Sequence, residues 1–166
     1  EQHAAIKSLA KQEKTSLYMT LLAAFQTFLH RISGEKDILI GSPIANRDRE
    51  EIREAIGFYT NTVVFRGDLS GSPSFRQLLG TCRNNVLSVL AHQELPLERI
   101  VEAINPDRRS GDNPIFQVMF AVQQAPESAF FLPDVEISAV DVHSRTSKFD
   151  LLLEMQELKN GMQCFL

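Results

Sequence analysis

Tryptophan is missing from this 166-residue chain, and cysteine occurs only twice, at Cys82 and Cys164. With no CxxC and the two thiols far apart in sequence, zinc-ribbon and dithiol redox chemistry are not supported. Both cysteines lie among apolar residues, where a free Cys behaves as a small hydrophobe, so both are expected to be buried thiols in a reducing compartment. The histidines, His3, His30, His92 and His143, stand singly, and none has the spacing that sets two imidazoles on one metal. GxxxxGKS/T, a GxGxxG after a strand, HExxH and GxSxG are all absent. Basic residues number 17 against 21 acidic, a formal net charge of -4. No basic run could neutralise a series of phosphates, so nucleic acid is not an expected partner. No apolar run reaches the roughly 18 to 20 residues of a membrane span, and Glu-Gln-His-Ala at the start is unlike a signal peptide. A cytoplasmic location, with no membrane partner, is the expectation.

What the chain does contain is ordinary globular composition, 43% hydrophobic and 23% charged, enough to close one core. Leu17, Leu21, Ala24, Phe25, Phe28 and Ile32 recur at helical spacing, with Thr15 or Ser16 as cap, Gly34 as the left-handed stop, and Tyr18, Leu22 and Leu29 widening the stripe. Ile38 to Ile40 reads as a central strand that Gly41-Ser42-Pro43 should break. "DREEIREA" is helical or loop-like. Thr62 to Phe65 predicts a second interior strand, closed by a turn through Arg66-Gly67-Asp68 and onward. Ser72-Pro73 reads as a helix start, and Phe75, Leu78, Leu79, Cys82, Val86, Val89 and Leu90 mark the apolar face that follows. His92-Gln93-Glu94 stops that helix, and Pro96 opens a shorter one with Leu97, Ile100, Val101 and Ile104 as its stripe. Phe116, Val118, Phe120 and Val122 alternate as a strand, a weaker one is expected near Val135 to Val142, and Phe149, Leu151, Leu153 and Met155 alternate again. Asn160-Gly161 then gives a hairpin signal. The sum is an α/β domain in which helices pack on a mixed sheet.

Chemistry-bearing groups are few. His92 could act as acid or base, but a histidine in a helix's last turn also suits the negative end of the dipole, and a structural role is the simpler reading. Ser144 beside His143 has no base-and-orienter arrangement. Ser42 and Asn61 stand at strand ends, where a buried polar group must bond a neighbouring loop or face a cavity. Arg108 and Arg109 are either solvated or clamp their loop.

In order, these stretches resemble the C-terminal lobe of nonribosomal peptide synthetase condensation domains. "TSLYMTLLAAFQTFLHRISGEKDILIGSPIANR" is similar to that family's helix and strand leading to a Gly-Ser-Pro segment. "IGFYTNTVVFR" resembles IGxFVNTxxxR, keeping Ile56, Gly57, Asn61, Thr62 and Arg66 but with Tyr59 and Thr60 where Phe and Val are usual. "HQELPLERIVEAI" resembles HQDxPFExVVExL, keeping His92, Gln93 and Pro96. "RRSGDNPIFQVMFAVQ" resembles RDxSRNPLFQVMFxxQ, keeping Arg108, Asn113, Pro114, Phe116 and Gln117. "SKFDLLLEM" resembles the KFDL strand, with Asp150.

The resemblance implies a chloramphenicol-acetyltransferase-like half-domain, a two-layer sandwich spanning residues 1–166, the N-terminal lobe and last C-terminal elements lying elsewhere. It implies an amide bond formed between a carrier-bound acyl or peptidyl donor and an aminoacyl acceptor, both on phosphopantetheine arms of peptidyl carrier proteins, with no cofactor bound directly. The family's HHxxxDG motif belongs to the N-terminal lobe and has no counterpart here, so no residue of this chain is expected to be catalytic and none a metal ligand. Ser42 and Asn61 are expected to line the substrate tunnel, while Gly57, Arg66, His92, Gln93, Pro96, Arg108, Asn113, Pro114 and Asp150 are expected to be structural. An epimerisation or heterocyclisation lobe, or a carrier-docking scaffold, is the alternative. Unpaired sheet edges would also favour self-association.

Overall fold

The computed structural model describes residues 1–47, 49–105, 113–124, 135, 146–158 and 161–166 of the chain. In chain order the elements are α1 (Gln2–Gln12), α2 (Leu17–Ser33), β1 (Asp37–Ile44), α3 (Glu50–Arg53), β2 (Asn61–Asp68), α4 (Phe75–Leu90), α5 (Leu97–Ile104), β3 (Val118–Gln124), β4 (Leu151–Leu158) and β5 (Gly161–Phe165). The strands form one mixed sheet in the order β2-β1-β3-β4-β5. β1 runs antiparallel to β2 and parallel to β3, β3 is parallel to β4, and β4 and β5 are antiparallel. The mixed-sheet, two-layer α/β architecture read from the sequence is the one observed.

Period-two alternation decides which side chains meet the helices. The register sets Ile40 opposite Phe65, and Phe120 opposite Leu153. Ile40, Phe65 and Phe120 join Leu22, Phe25, Leu79 and Val86 of α2 and α4 in one buried cluster. Each such side chain contributes about 1.5–3 kcal/mol by leaving water. Tyr18 enters the same layer, its ring 5.9 Å from Phe65 and 5.4 Å from Phe120.

Ser16 caps α2 by accepting from the Met19 amide, and Gly34, at φ 77°, closes it in the left-handed conformation. The stripe expected on this helix is narrower in fact. Phe28 and Ile32 are exposed, and Phe28 stacks on Phe25.

Other expectations need correction. β1 does not break at Gly41-Ser42-Pro43 but continues to Ile44, with Pro43 opposite Thr62. The register with β3 covers only Ile40 and Gly41, so Pro43 lies where β1 is an edge on that side, a place that tolerates a missing donor. Nor is Arg66-Gly67-Asp68 a turn, since it is the last part of β2. Glycine is needed at 67 because a Cβ would lie 2.6 Å from the amide carbon of Gln26, which is buried against it. α4 starts later than Ser72-Pro73, capped by Ser74. Gln77, three residues on, completes a reciprocal capping box, its Oε1 accepting from the Ser74 amide at 2.8 Å, whereas the residue three beyond Ser72 is the apolar Phe75. α1 is not legible from periodicity; Ile6, Leu9 and Ala10 are its contacts with the core, and Lys7 ties it to Glu157 of β4. Phe116 precedes β3 instead of opening it. Gly161 is the first residue of β5, opposite Leu158. Of the weaker strand near Val135 to Val142 only Val135 is among the described residues.

The two cysteines part company. Cys82 is buried and Cys164 exposed, which corrects the expectation of two buried thiols. Burial pushes the Cys82 thiol from its ordinary 9.0 up to about 12. Alkylation followed by mass spectrometry should therefore label Cys164 rapidly and Cys82 only on unfolding. The linkage has a definite sign, because the folded state keeps its proton where the unfolded chain loses it. The contribution of Cys82 is fully present below about pH 9 and is lost as pH rises toward about 12.

Candidate functional site

The polar residues singled out by sequence fall into two places. Ser42 lies in the core, 1% exposed. Its hydroxyl accepts from Tyr18 Oη and donates to the Phe120 carbonyl, each at 2.7 Å. Burial raises the Tyr18 phenol above its ordinary value, the Ser42 hydrogen bond opposing part of that rise. Ser42, expected to line the tunnel, thus links α2, β1 and β3 through one accepted and one donated hydrogen bond. A strand-end position gives no hint that β1 runs on and carries Ser42 inward.

Asn61, first residue of β2, bonds a neighbouring loop. Its Nδ2 donates to the carbonyls of Gln93 at 2.8 Å and Leu95 at 2.9 Å, and its Oδ1 accepts from the Thr62 amide at 2.9 Å. Both donors of the amide are spent. An asparagine is the right residue for this post, since neither aspartate nor threonine offers two N–H groups to two carbonyls.

The turn so held joins α4 to α5. His92 Nδ1 meets the Ser88 carbonyl at 2.9 Å, the end-of-helix position that the sequence suggests. Gln93 contributes its backbone carbonyl to Asn61. Pro96, at φ -63°, is the N-cap of α5. Arg49 reaches across to Glu94, Nη2 to Oε1 at 3.2 Å, a second tie from the segment after β1 to the same turn.

Arg66, Asn113, Pro114 and Asp150 lie away from that turn. Arg66 makes a bidentate pair with Asp37, both contacts at 2.8 Å. Asn113 Oδ1 accepts from the amides of Ile115 and Phe116, the following Pro114 is exposed, and the result is to set the Phe116 ring over Gly41. A Cβ on Gly41 would lie 2.2 Å from that ring. Phe149 stacks on Phe116 at 5.9 Å, and the Asp150 amide donates to the Gln117 carbonyl at 3.0 Å. Arg108 lies outside the described residues. A groove of about 480 Å³ is lined mainly by apolar side chains that include Leu39, Val64, Val89 and Ile104, with His92 and Arg66 beside them.

Gly57 sits in the loop before β2, its carbonyl accepting from Arg47 Nη2 at 3.0 Å. Arg47, whose role sequence patterns do not bring forward, lies there with Tyr59, the guanidinium 4.5 Å from the ring centroid. No spacing rule marks an arginine whose partners are backbone carbonyls. Among the described residues, no three His, Cys, Asp or Glu side chains come together to hold a metal, and none of the described helices is long and apolar enough to cross a membrane.

The condensation-domain family model matches residues 1–166, and the chain belongs to that family. A linear gramicidin synthase polypeptide of Brevibacillus parabrevis is 46% identical over 164 residues, which are 98% of this chain and 3% of that protein. Malpinin synthetase of Mortierella alpina is 40% identical over 158 residues, 95% of this chain and 2% of that protein. The chain thus spans only a few per cent of the length of these curated relatives. Among solved structures, a holo four-domain nonribosomal peptide synthetase bound to AMP and glycine matches with TM-score 0.86 at 23% identity, over 98% of this chain and 13% of that one. The X-domain from teicoplanin biosynthesis matches with TM-score 0.85 at 21% identity, over 98% of this chain and 39% of that one. These last two likenesses show the fold.

Proposed function

We propose that this chain is the C-terminal lobe of a condensation domain whose parent joins a carrier-bound acyl or peptidyl donor to a carrier-bound aminoacyl acceptor. The carrying observation is the family match across residues 1–166, together with 46% identity to a peptide synthase. In that reaction the acceptor amine attacks the donor thioester carbonyl, a C–N bond forms, the C–S bond breaks, and the thiolate of the donor's phosphopantetheine arm leaves as the amine sheds a proton. The lobe's part is positional: Asn61 fixes the turn from Gln93 to Leu95, and that turn sets where α5 begins. The proton-handling histidine belongs to the other lobe, and the partners are that lobe and the peptidyl carrier proteins. The intact parent, supplied with donor and acceptor each loaded on its carrier, should release donor carrier and accumulate amide-linked product on the acceptor carrier, read by mass spectrometry of the intact carriers. An aminoacyl or peptidyl group inverted with no transfer would favour the epimerisation reading, and an amide product that then loses one water as its side-chain nucleophile closes on the new carbonyl would favour heterocyclisation.

A further inference from the structure

Between the end of α3 and the start of β2, residues 54 to 60 have no regular structure, yet the stretch is tied down by one side chain. Arg47 Nη1 donates to the carbonyls of Ile52 and Ala55, each at 2.7 Å, and Nη2 donates to Gly57 at 3.0 Å. The guanidinium lies over Tyr59, 4.5 Å from the ring centroid. Tyr59 in turn lies over Gly57, where a Cβ would come within 2.8 Å of the ring. With a longer Nη1 contact to the Arg53 carbonyl at 3.4 Å, four carbonyls, an aromatic face and a glycine are thus gathered on one planar cation. Lysine could not replace it, because an ammonium is a point charge without the fixed fork that spans separate acceptors.

Two consequences follow for what surrounds the clamp. Ile56 and Phe58, on either side of Gly57, project fully into solvent, at 104% and 91% exposure. The chain then enters β2 at Asn61, which is stapled to Gln93 and Leu95. A loop carrying exposed apolar side chains would ordinarily spread over many conformations, and fixing it beforehand removes the ordering cost from any later contact.

We propose that Arg47 is a positioning residue for amide-bond formation: it holds residues 54 to 60 in the single conformation that delivers Asn61 to its turn and keeps Ile56 and Phe58 projecting. This rests on the functional reading given above. The test uses the intact parent protein with Arg47→Lys, Arg47→Gln and Tyr59→Leu. Hydrogen exchange should accelerate at residues 55–60 by about tenfold or more in both Arg47 variants, with the amides of α2 and the central strands unchanged. Turnover with both carriers loaded should fall about tenfold or more, as a displaced positioning loop can cause, with the thermal midpoint little moved. Arg47→Lys should fare no better than Arg47→Gln. Tyr59→Leu should loosen the same amides to a smaller degree, and it carries the test if the Arg47 variants do not fold. Unchanged exchange in 55–60, full rescue by lysine, or faster exchange with undiminished turnover would each overturn the proposal. A wild-type parent that makes no amide overturns the functional reading, while the exchange data still decide whether Arg47 clamps the loop.

Discussion

Asn61→Ala in the intact condensation domain is expected to reduce amide-bond formation about tenfold or more, the order of effect that misplacing a positioning element produces. Truncation removes both donors that hold the Gln93 and Leu95 carbonyls. The direct stability loss should be only about 1–2 kcal/mol, because these bonds lie at a partly solvated end of the sheet and each is worth about 1 kcal/mol net. Activity and stability therefore separate. Asn61→Asp should be worse than alanine, since it puts a carboxylate oxygen, with no proton to give, where Nδ2 meets two carbonyls. Steady-state turnover and thermal midpoints of the three proteins provide the check; undiminished turnover in both variants would remove Asn61 from the positioning machinery.

Gly41→Ala is expected to have the largest effect on stability. The added methyl would sit 2.2 Å from Phe116, a ring that is itself 1% exposed and stacked on Phe149. The ring cannot simply swing away, because Asn113 holds the amides of Ile115 and Phe116. Overpacking of this kind costs about 1–3 kcal/mol, and the upper end applies where neighbours are pinned. A thermal midpoint lowered by several degrees is expected in the intact domain. Gly67→Ala meets the Gln26 side chain instead and should cost less, because an amide side chain has rotamers to retreat into. Equal midpoints for wild type and Gly41→Ala would show that Phe116 does not close on the strand as described.

How far the sequence discloses this depends on whether a feature is local. α2 is legible because its cap, stripe and glycine stop all lie at the helix itself. Phe65 and Ile40 are legible as core because each ends a short, continuous apolar run of the kind an interior strand carries. Ser42 is misleading in sequence because its surroundings are set by residues 24 and 78 positions away, Tyr18 and Phe120, which no local pattern encodes. Gly67 misleads for a related reason: a glycine kept for the close approach of a distant side chain looks, in sequence, like one kept for a turn. Asn61 is recognisable as a polar group in need of partners, but whether those are a loop or a cavity depends on the 32-residue return to Gln93. Arg47 gives no sign of its role, since backbone carbonyls leave no signature in side-chain patterns.

The most direct measurement mixes this chain with a separately purified N-terminal lobe and both loaded carriers, and follows amide product on the acceptor carrier. Product from the two lobes together, and none from either alone, is the expected result. Product from this chain by itself would contradict it.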